Sequence, residues 1–339
     1  MCSEILLSVI VPVYKIPLTR LKALFTLFLN NKSQLIEFII VDDGSPDQCG
    51  NYCDIYHDLD SRFNVYHTEN KGVSSARNFG IMHSKGEYIT FIDADDLVKA
   101  DTLENLINTI KIFDYDVIFF GYQKIDENTP FYCKTNSIDN IVNLTCNQII
   151  WYIISQLEND KRYLFGSPWG KLFKLSFLRR NSIFFPCDIK YSEDRIFMVN
   201  LLSFSPTLYF EKYDGYLYVK RIDSVSRLFK DDLLVEYKNT YDYMSKIVST
   251  NFTNNVFFDK ALIYMKYRLI EDYIRALLKS DSSLINKLFY FRKIQDYNVS
   301  SINVKLLQSR FSVLLYYILK YSNNFLGLLI LYSVSYFIK

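Results

Sequence analysis

Over its first 121 residues the chain alternates apolar runs with amphipathic stretches, and only short loops separate them. That alternation confines it to an α/β fold built on parallel strands. Leu6–Val13 is the first apolar run, the pattern of a strand buried on both faces. Between Pro17 and Asn30, Leu18, Leu21, Leu24, Phe25 and Phe28 fall at helical spacing. Further strands are expected at Phe38–Val41, Phe63–His67, Tyr88–Ile92 and Val117–Phe120. Helices are expected after Pro46, over Val73–His83 and over Asp101–Phe113, with Asp101 as N-cap and Ser45 able to cap the helix after Pro46. In such sheets ligands sit beyond the carboxyl ends of the strands. Two acidic clusters, Asp42-Asp43 and Asp93–Asp96, fall at those ends.

The remainder is less regular. Polar, Asn-rich sequence at 126–147 reads as an insertion or loop. Helices and short strands resume over 148–225, including a strand at Tyr216–Val219, and the pattern beyond Lys230 is helical. Phe311–Ile338 is very apolar, but Lys320 and Asn323-Asn324 interrupt it and leave 14 residues, Phe325–Ile338. A spanning helix needs roughly 20. A helix lying on a membrane surface, or one buried in a homo-oligomer interface, is expected instead. Met1–Glu4 lacks the basic start of a signal peptide, so the expected place is the cytoplasm or its membrane surface.

Charge and cysteine usage exclude several classes. A net charge of +2 over 339 residues gives no basic surplus for wholesale nucleic-acid binding. The six cysteines are too scattered for a disulfide framework, which suits a reducing compartment. Cys49, Cys53 and His57 share a helix face, yet a structural zinc site wants four ligands and no other pair has the spacing. Packed thiols are the expectation there.

Three segments carry chemistry. Carboxylates at Asp93 and Asp95 follow an apolar run and can converge on a hard cation, Mg²⁺ or Mn²⁺; an acidic turn ahead of the Asp101 helix is the alternative. Asp42-Asp43-Gly44-Ser45 ends a strand with an acceptor suited to a nucleobase N–H or a ribose hydroxyl, or is simply a strand-to-helix turn. Asn70–Asn78 sets Lys71 and Arg77 at a helix start, where free N–H groups favour a phosphate; an ordinary capped surface helix has the same look.

In order and spacing these segments, with Ser8–Tyr14, strongly resemble the family-2 glycosyltransferases of bacteria, of the capsule and exopolysaccharide type. The resemblance is specific over roughly residues 5–121. It implies a GT-A nucleotide-diphospho-sugar transferase fold, Rossmann-like, with a mainly parallel central sheet flanked by helices and a helical C-terminal region. The implied domains are 1–225 (donor-binding half 1–121, acceptor-side half 122–225) and 226–339. By resemblance Pro12, Val13, Tyr14 and Asp43 cradle the base and ribose of the donor. Asp93, Ala94 and Asp95 form the D-x-D segment, with Asp95 the nearer candidate for direct metal contact. Lys71 and Arg77 belong to the donor side. The family is inverting, so an α-linked nucleotide sugar implies a β-linked product.

Weaker matches follow in the second half. Ser167–Phe173 resembles the family's W-x-K-L segment, Glu193-Asp194 its E-D pair with Asp194 as catalytic base, and Tyr218–Ser226 a segment that closes over the donor through Arg221. Trp169, expected to be exposed, offers a stacking face to an acceptor sugar beside Glu193. Glu193-Asp194 also suits a plain helix first turn. The implied reaction moves a hexosyl or N-acetylhexosaminyl unit from a nucleotide-diphosphate sugar, UDP being the expected nucleotide, to a hydroxyl of a lipid-diphosphate-linked saccharide in cell-surface polysaccharide synthesis. Two rivals are a non-catalytic nucleotide-sugar-binding scaffold and a nucleotidyltransferase. The scaffold has no need of Asp194, and the nucleotidyltransferase wants a Gly-rich basic loop where this chain has Val-Pro-Val-Tyr.

Overall fold

A computed structural model describes residues 5–126, 129–136, 144–157, 164–220, 229–280, 282–294, 302–307, 309–321 and 330. Strands β1 (Leu7–Val13), β2 (Ile36–Asp42), β3 (Phe63–His67) and β4 (Tyr88–Phe91) alternate with helices α1 (Leu18–Asn30), α2 (Cys49–Leu59) and α3 (Val73–His83). The four strands are parallel and lie in the order β3-β2-β1-β4. The order reverses at β1, with β2 on one side and β4 on the other. Such a switch point opens a crevice at the strand ends.

Burial follows the apolar pattern. Leu7, Val9, Ile10 and Val11 are fully buried, as are Leu21, Leu24, Phe25 and Phe28 on the inner face of α1. Phe28 stacks on Phe38 at 4.5 Å, and Phe63 closes the same cluster. Helix α3 lies so close to β1 that a Cβ on Gly80 would stand 2.4 Å from Ile10, which only glycine avoids.

The second half makes the sheet mixed. β5 (Leu97–Val98), α4 (Thr102–Ile112), β6 (Val117–Asp126), β7 (Thr129–Asn136), α5 (Cys146–Ser155), β8 (Lys171–Lys174), α6 (Leu175–Arg180), α7 (Glu193–Ser203) and β9 (Leu208–Lys220) follow. β8 runs antiparallel to both β4 and β6, whereas β6 and β9 are parallel, giving the order β3-β2-β1-β4-β8-β6-β9-β5. The strand expected at Val117–Phe120 continues to Asp126, and β7 occupies part of the expected loop. Backbone pairing with β9 on one side and β7 on the other carries β6 through its polar residues.

Two caps differ from expectation. Asp101 stands at the N-cap of α4, but its carboxylate accepts from the Tyr213 hydroxyl (2.6 Å) and the Asn105 amide. Ser45 does not cap α2; its Oγ accepts the Lys15 N–H, and Asp47 takes the Cys49 N–H. Cys49 and Cys53 are buried thiols, Cys49 donating to the Ile16 carbonyl, and burial pushes its proton affinity up to about 11.

The chain divides into two compact units, Met1–Ile150 with Tyr163–Ile222, and Trp151–Arg162 with Asp223–Lys339. Helices α8 (Leu233–Asn251), α9 (Val256–Lys279), α10 (Leu284–Arg292) and α11 (Arg310–Tyr321) belong to the second. Its buried centre holds Glu271, which accepts from Arg268, Arg275 and Ser312 and so fastens α11 to α9. Among the described residues no helix is long and apolar enough to cross a membrane. The apolar segment Phe325–Ile338 lies, Ile330 apart, outside the described residues.

Candidate active site

At the carboxyl end of β2 the Asp43 side chain, 3% exposed, accepts the backbone N–H groups of Lys71 (2.9 Å) and Gly72 (2.8 Å). Its own N–H donates to the Val13 carbonyl, so one residue ties β1, β2 and the start of α3 together. Gly72 at φ 89° supplies the left-handed turn that lets two successive N–H groups face one carboxylate. A carboxylate has about four acceptor directions, so two remain for a ligand. The neighbouring Asp42 is engaged elsewhere. It accepts from His67 Nδ1 (3.0 Å), whose other ring nitrogen meets Asp54, and both carboxylates raise the imidazole's affinity for its proton.

The acidic turn after β4 is closed by the Asp96 N–H donating to the Asp93 carbonyl. Asp93, Asp95 and Asp96 each bring a carboxylate oxygen to within 4.8 Å of the others, the one such cluster among the described residues. An all-oxygen donor set of this kind fits a hard divalent cation, with water and phosphate oxygens completing the shell. The three are not equivalent. Asp96 is 3% exposed and accepts from the Tyr216 hydroxyl (2.6 Å) and the Val219 N–H (2.9 Å). Burial and the Asp93 charge push its proton affinity up to about 8, against the pull of those hydrogen bonds. Asp93 and Asp95 are the better-solvated pair.

Arg77 reaches into the same place from α3. The residue is 5% exposed, and its guanidinium donates to Asp93 Oδ1 (2.8 Å) and to Glu193 Oε1 (3.4 Å), the latter in the first turn of α7. Burial opposes its charge, but Asp93, Glu193 and Asp194 more than compensate. Glu193 is pushed up to about 7 by burial and the adjacent Asp194, with Arg77 pulling the other way. The pair is lopsided because the arginine leans toward Asp93. Asp194 Oδ1 accepts the Arg195 N–H at 2.7 Å.

Of the residues expected on the donor side, Pro12, Val13, Tyr14, Asp43, Arg77, Asp93, Ala94 and Asp95 all line one open cleft of about 410 Å³. Lys71 does not; its side chain is 65% exposed and pairs with Glu69. Arg221 lies outside the described residues. Trp169 corrects an expectation: it is 4% exposed, stacked on Tyr216 (4.7 Å) and Tyr218 and edge-on to Tyr122, and has no free face for a sugar. Two residues along, Lys171 is fully buried and its ammonium donates to the carbonyls of Leu164, Ser167 and Trp169. Burial depresses its proton affinity well below the usual lysine range. The W-x-K spacing is thus a structural clamp on its own loop.

Asp96 and Tyr216 brace the site but were not expected to. Asp96 sat within the recognised motif. Tyr216 lies in a distant strand, and nothing in the sequence links it to the acidic turn.

A family model, Glycosyl transferase family 2, matches residues 8–182. The chain is 33% identical over 227 residues to glycosyltransferase GlyG of Streptococcus pneumoniae serotype 4, which covers 66% of this chain and 73% of the relative. S. aureus TarS in complex with UDP-GlcNAc is similar in structure, with a TM-score of 0.65 at 18% identity over 96% of this chain and 89% of that one. Mannosyltransferase PcManGT of Pyrobaculum calidifontis, in complex with GDP-Man and Mn²⁺, has a TM-score of 0.51 at 15% identity over 85% and 79%. These structural likenesses are of fold, and the fold is GT-A.

Proposed function

This chain belongs to glycosyl transferase family 2, and from that premise we propose that it transfers a sugar from a UDP-sugar to a saccharide hydroxyl with inversion. The observation that carries this reading is the cleft itself, whose lining brings the Pro12–Tyr14 segment and Asp43 together with Asp93 and Asp95. The first pair suits a base and ribose, and the second a cation-bound diphosphate. The TarS complex with UDP-GlcNAc favours UDP, whereas the PcManGT complex carries GDP-Man with Mn²⁺. We infer a lipid-linked acceptor at the inner membrane surface, in polysaccharide synthesis.

Held by Asp95 and Asp93, Mg²⁺ or Mn²⁺ would act as a Lewis acid on the departing diphosphate. Asp43 would accept from the base or ribose with its two remaining acceptor directions. Asp194 would take the proton of the acceptor hydroxyl as that oxygen attacks the anomeric carbon and the bond to the diphosphate breaks. Trp169 would serve the acceptor side indirectly, by seating β9 and the loop that Lys171 clamps.

The reading is tested by melting the protein with UDP, GDP, CDP and ADP, each with and without Mn²⁺. A ligand at 100 times its Kd stabilises the fold by about 2.7 kcal/mol. A Mn²⁺-dependent shift with UDP supports the reading, a shift with GDP alone moves the donor to a GDP-sugar, and no shift with any nucleotide rejects the donor site.

A further inference from the structure

We propose that Arg77 is a positioning residue that couples cation binding at Asp93 to the placement of Glu193 and Asp194, resting on the reading of Asp93 and Asp95 as a cation site. Its two terminal nitrogens are the arms of one rigid fork. One arm holds the carboxylate that follows β4, and the other holds the carboxylate that opens α7. A planar fork cannot strengthen both bonds independently. At 2.8 Å the Asp93 bond is short, and at 3.4 Å the Glu193 bond is long, so the two carboxylates compete for one guanidinium.

The seat of the fork is stiff. Asn78, the residue after Arg77, donates to the Phe185 carbonyl and accepts the Phe185 N–H, both at 2.8 Å. The Phe185 ring lies under the Arg77 guanidinium at 5.2 Å and stacks on Phe197 of α7 at 4.0 Å. Helix α3, the Phe185 segment and α7 therefore form one packed frame around the guanidinium. Arg77 Nε is buried in that frame without a hydrogen-bond partner, so the two terminal nitrogens alone tie the guanidinium to its carboxylates.

A cation that draws on the Asp93 carboxylate weakens its hold on Arg77, and the freed arm turns to Glu193. The first turn of α7, with Asp194 beside Glu193, is then drawn in only when the cation side is filled. The coupling is reciprocal: what happens at Glu193 must alter cation affinity at Asp93. With the Glu193 charge removed, Arg77 belongs wholly to Asp93 and competes harder with the cation.

The experiment measures Mn²⁺ affinity without nucleotide or acceptor, from the electron paramagnetic resonance signal of free Mn²⁺. Wild type, Glu193→Gln, Arg77→Lys and the double variant are compared, since lysine keeps the charge and loses the fork. Glu193→Gln is expected to raise the Mn²⁺ Kd about fivefold or more in the wild-type background, and to have little effect once Arg77 is lysine. An unchanged Kd in Glu193→Gln overturns the coupling without any change at Arg77, so it stands even if Arg77→Lys does not fold. Equal shifts in both backgrounds overturn it too, leaving only the loss of a negative charge. If wild type binds no Mn²⁺ alone, the same four proteins are compared with UDP present, and if wild type binds none there either, the cation reading falls, and this proposal with it.

Discussion

The Tyr216 hydroxyl donates to Asp96 Oδ2 at 2.6 Å, and its oxygen lies 3.3 Å from the Asp93 N–H that it accepts. One phenol thus joins strand β9 to the acidic turn after β4. Tyr216→Phe keeps the ring stacked on Trp169 but leaves a buried carboxylate oxygen without its donor. We expect a loss of about 1–3 kcal/mol in urea unfolding. A loss below about 0.5 kcal/mol would mean that the Val219 N–H suffices for Asp96.

Asp43 is a second such joint, in the lining of the cleft itself. Asp43→Ala removes the acceptor for the N–H groups of both Lys71 and Gly72, each a charge-assisted bond. We expect the start of α3 to loosen and UDP affinity to fall about tenfold or more, measured by calorimetry with Mn²⁺ present. Asp43→Asn keeps one acceptor oxygen and should lie between the two. Equal UDP affinity in wild type and Asp43→Ala would remove Asp43 from the donor site.

How much of this was legible along the chain depends on how local each interaction is. The strands at Leu7–Val13, Ile36–Asp42 and Tyr88–Phe91 are written in runs of buried residues, and the cleft residues Val13, Tyr14, Asp43 and Asp93–Asp95 lie at their carboxyl ends. Strand β5 has two residues, shorter than any periodic pattern. The polar end of β6 is held by backbone pairing with β9, which side-chain pattern does not encode. The burial of Trp169 is not local, because its cover comes from Tyr122, Tyr216 and Tyr218, on strands distant in sequence. The tie between Arg77 and Glu193 is hidden for the same reason, since the two lie 116 positions apart.

In the helical unit, Glu271 is 1% exposed and receives Arg268, Arg275 and Ser312. Glu271→Ala would take their shared acceptor from the partly exposed guanidinium groups of Arg268 and Arg275 and from the Ser312 hydroxyl on α11. We expect a loss of about 1–3 kcal/mol, visible by circular dichroism as early melting of helix. A melting point unchanged from wild type would show that α11 is held by its apolar contacts alone.

Asp194 is assigned the proton of the acceptor hydroxyl, so its removal should spare donor binding and slow chemistry. Asp194→Asn is expected to lower kcat about 10²–10⁴-fold, with UDP affinity within about twofold of wild type. Full turnover in Asp194→Asn, with Glu193→Gln inactive instead, would transfer the base role to Glu193.

Glu193 gives the site a pH signature whose sign separates burial from ion pairing. A carboxylate stabilised chiefly by Arg77 would have its proton affinity lowered, and folding stability would rise with pH. Here burial and the neighbouring Asp194 outweigh an arginine arm at 3.4 Å, and Glu193 is pushed up to about 7 from 4.5. The contribution of Glu193 is therefore full below about pH 4.5 and is lost as pH rises through about 7. A shift of that size corresponds to at most about 3 kcal/mol. Urea unfolding of wild type and Glu193→Gln between pH 4.5 and 8 should show wild type losing stability relative to the variant up to about pH 7, then running level with it. A wild type that gains on Glu193→Gln over the same range would mean that the arginine wins, and that Glu193 stays ionised where α7 meets the cleft.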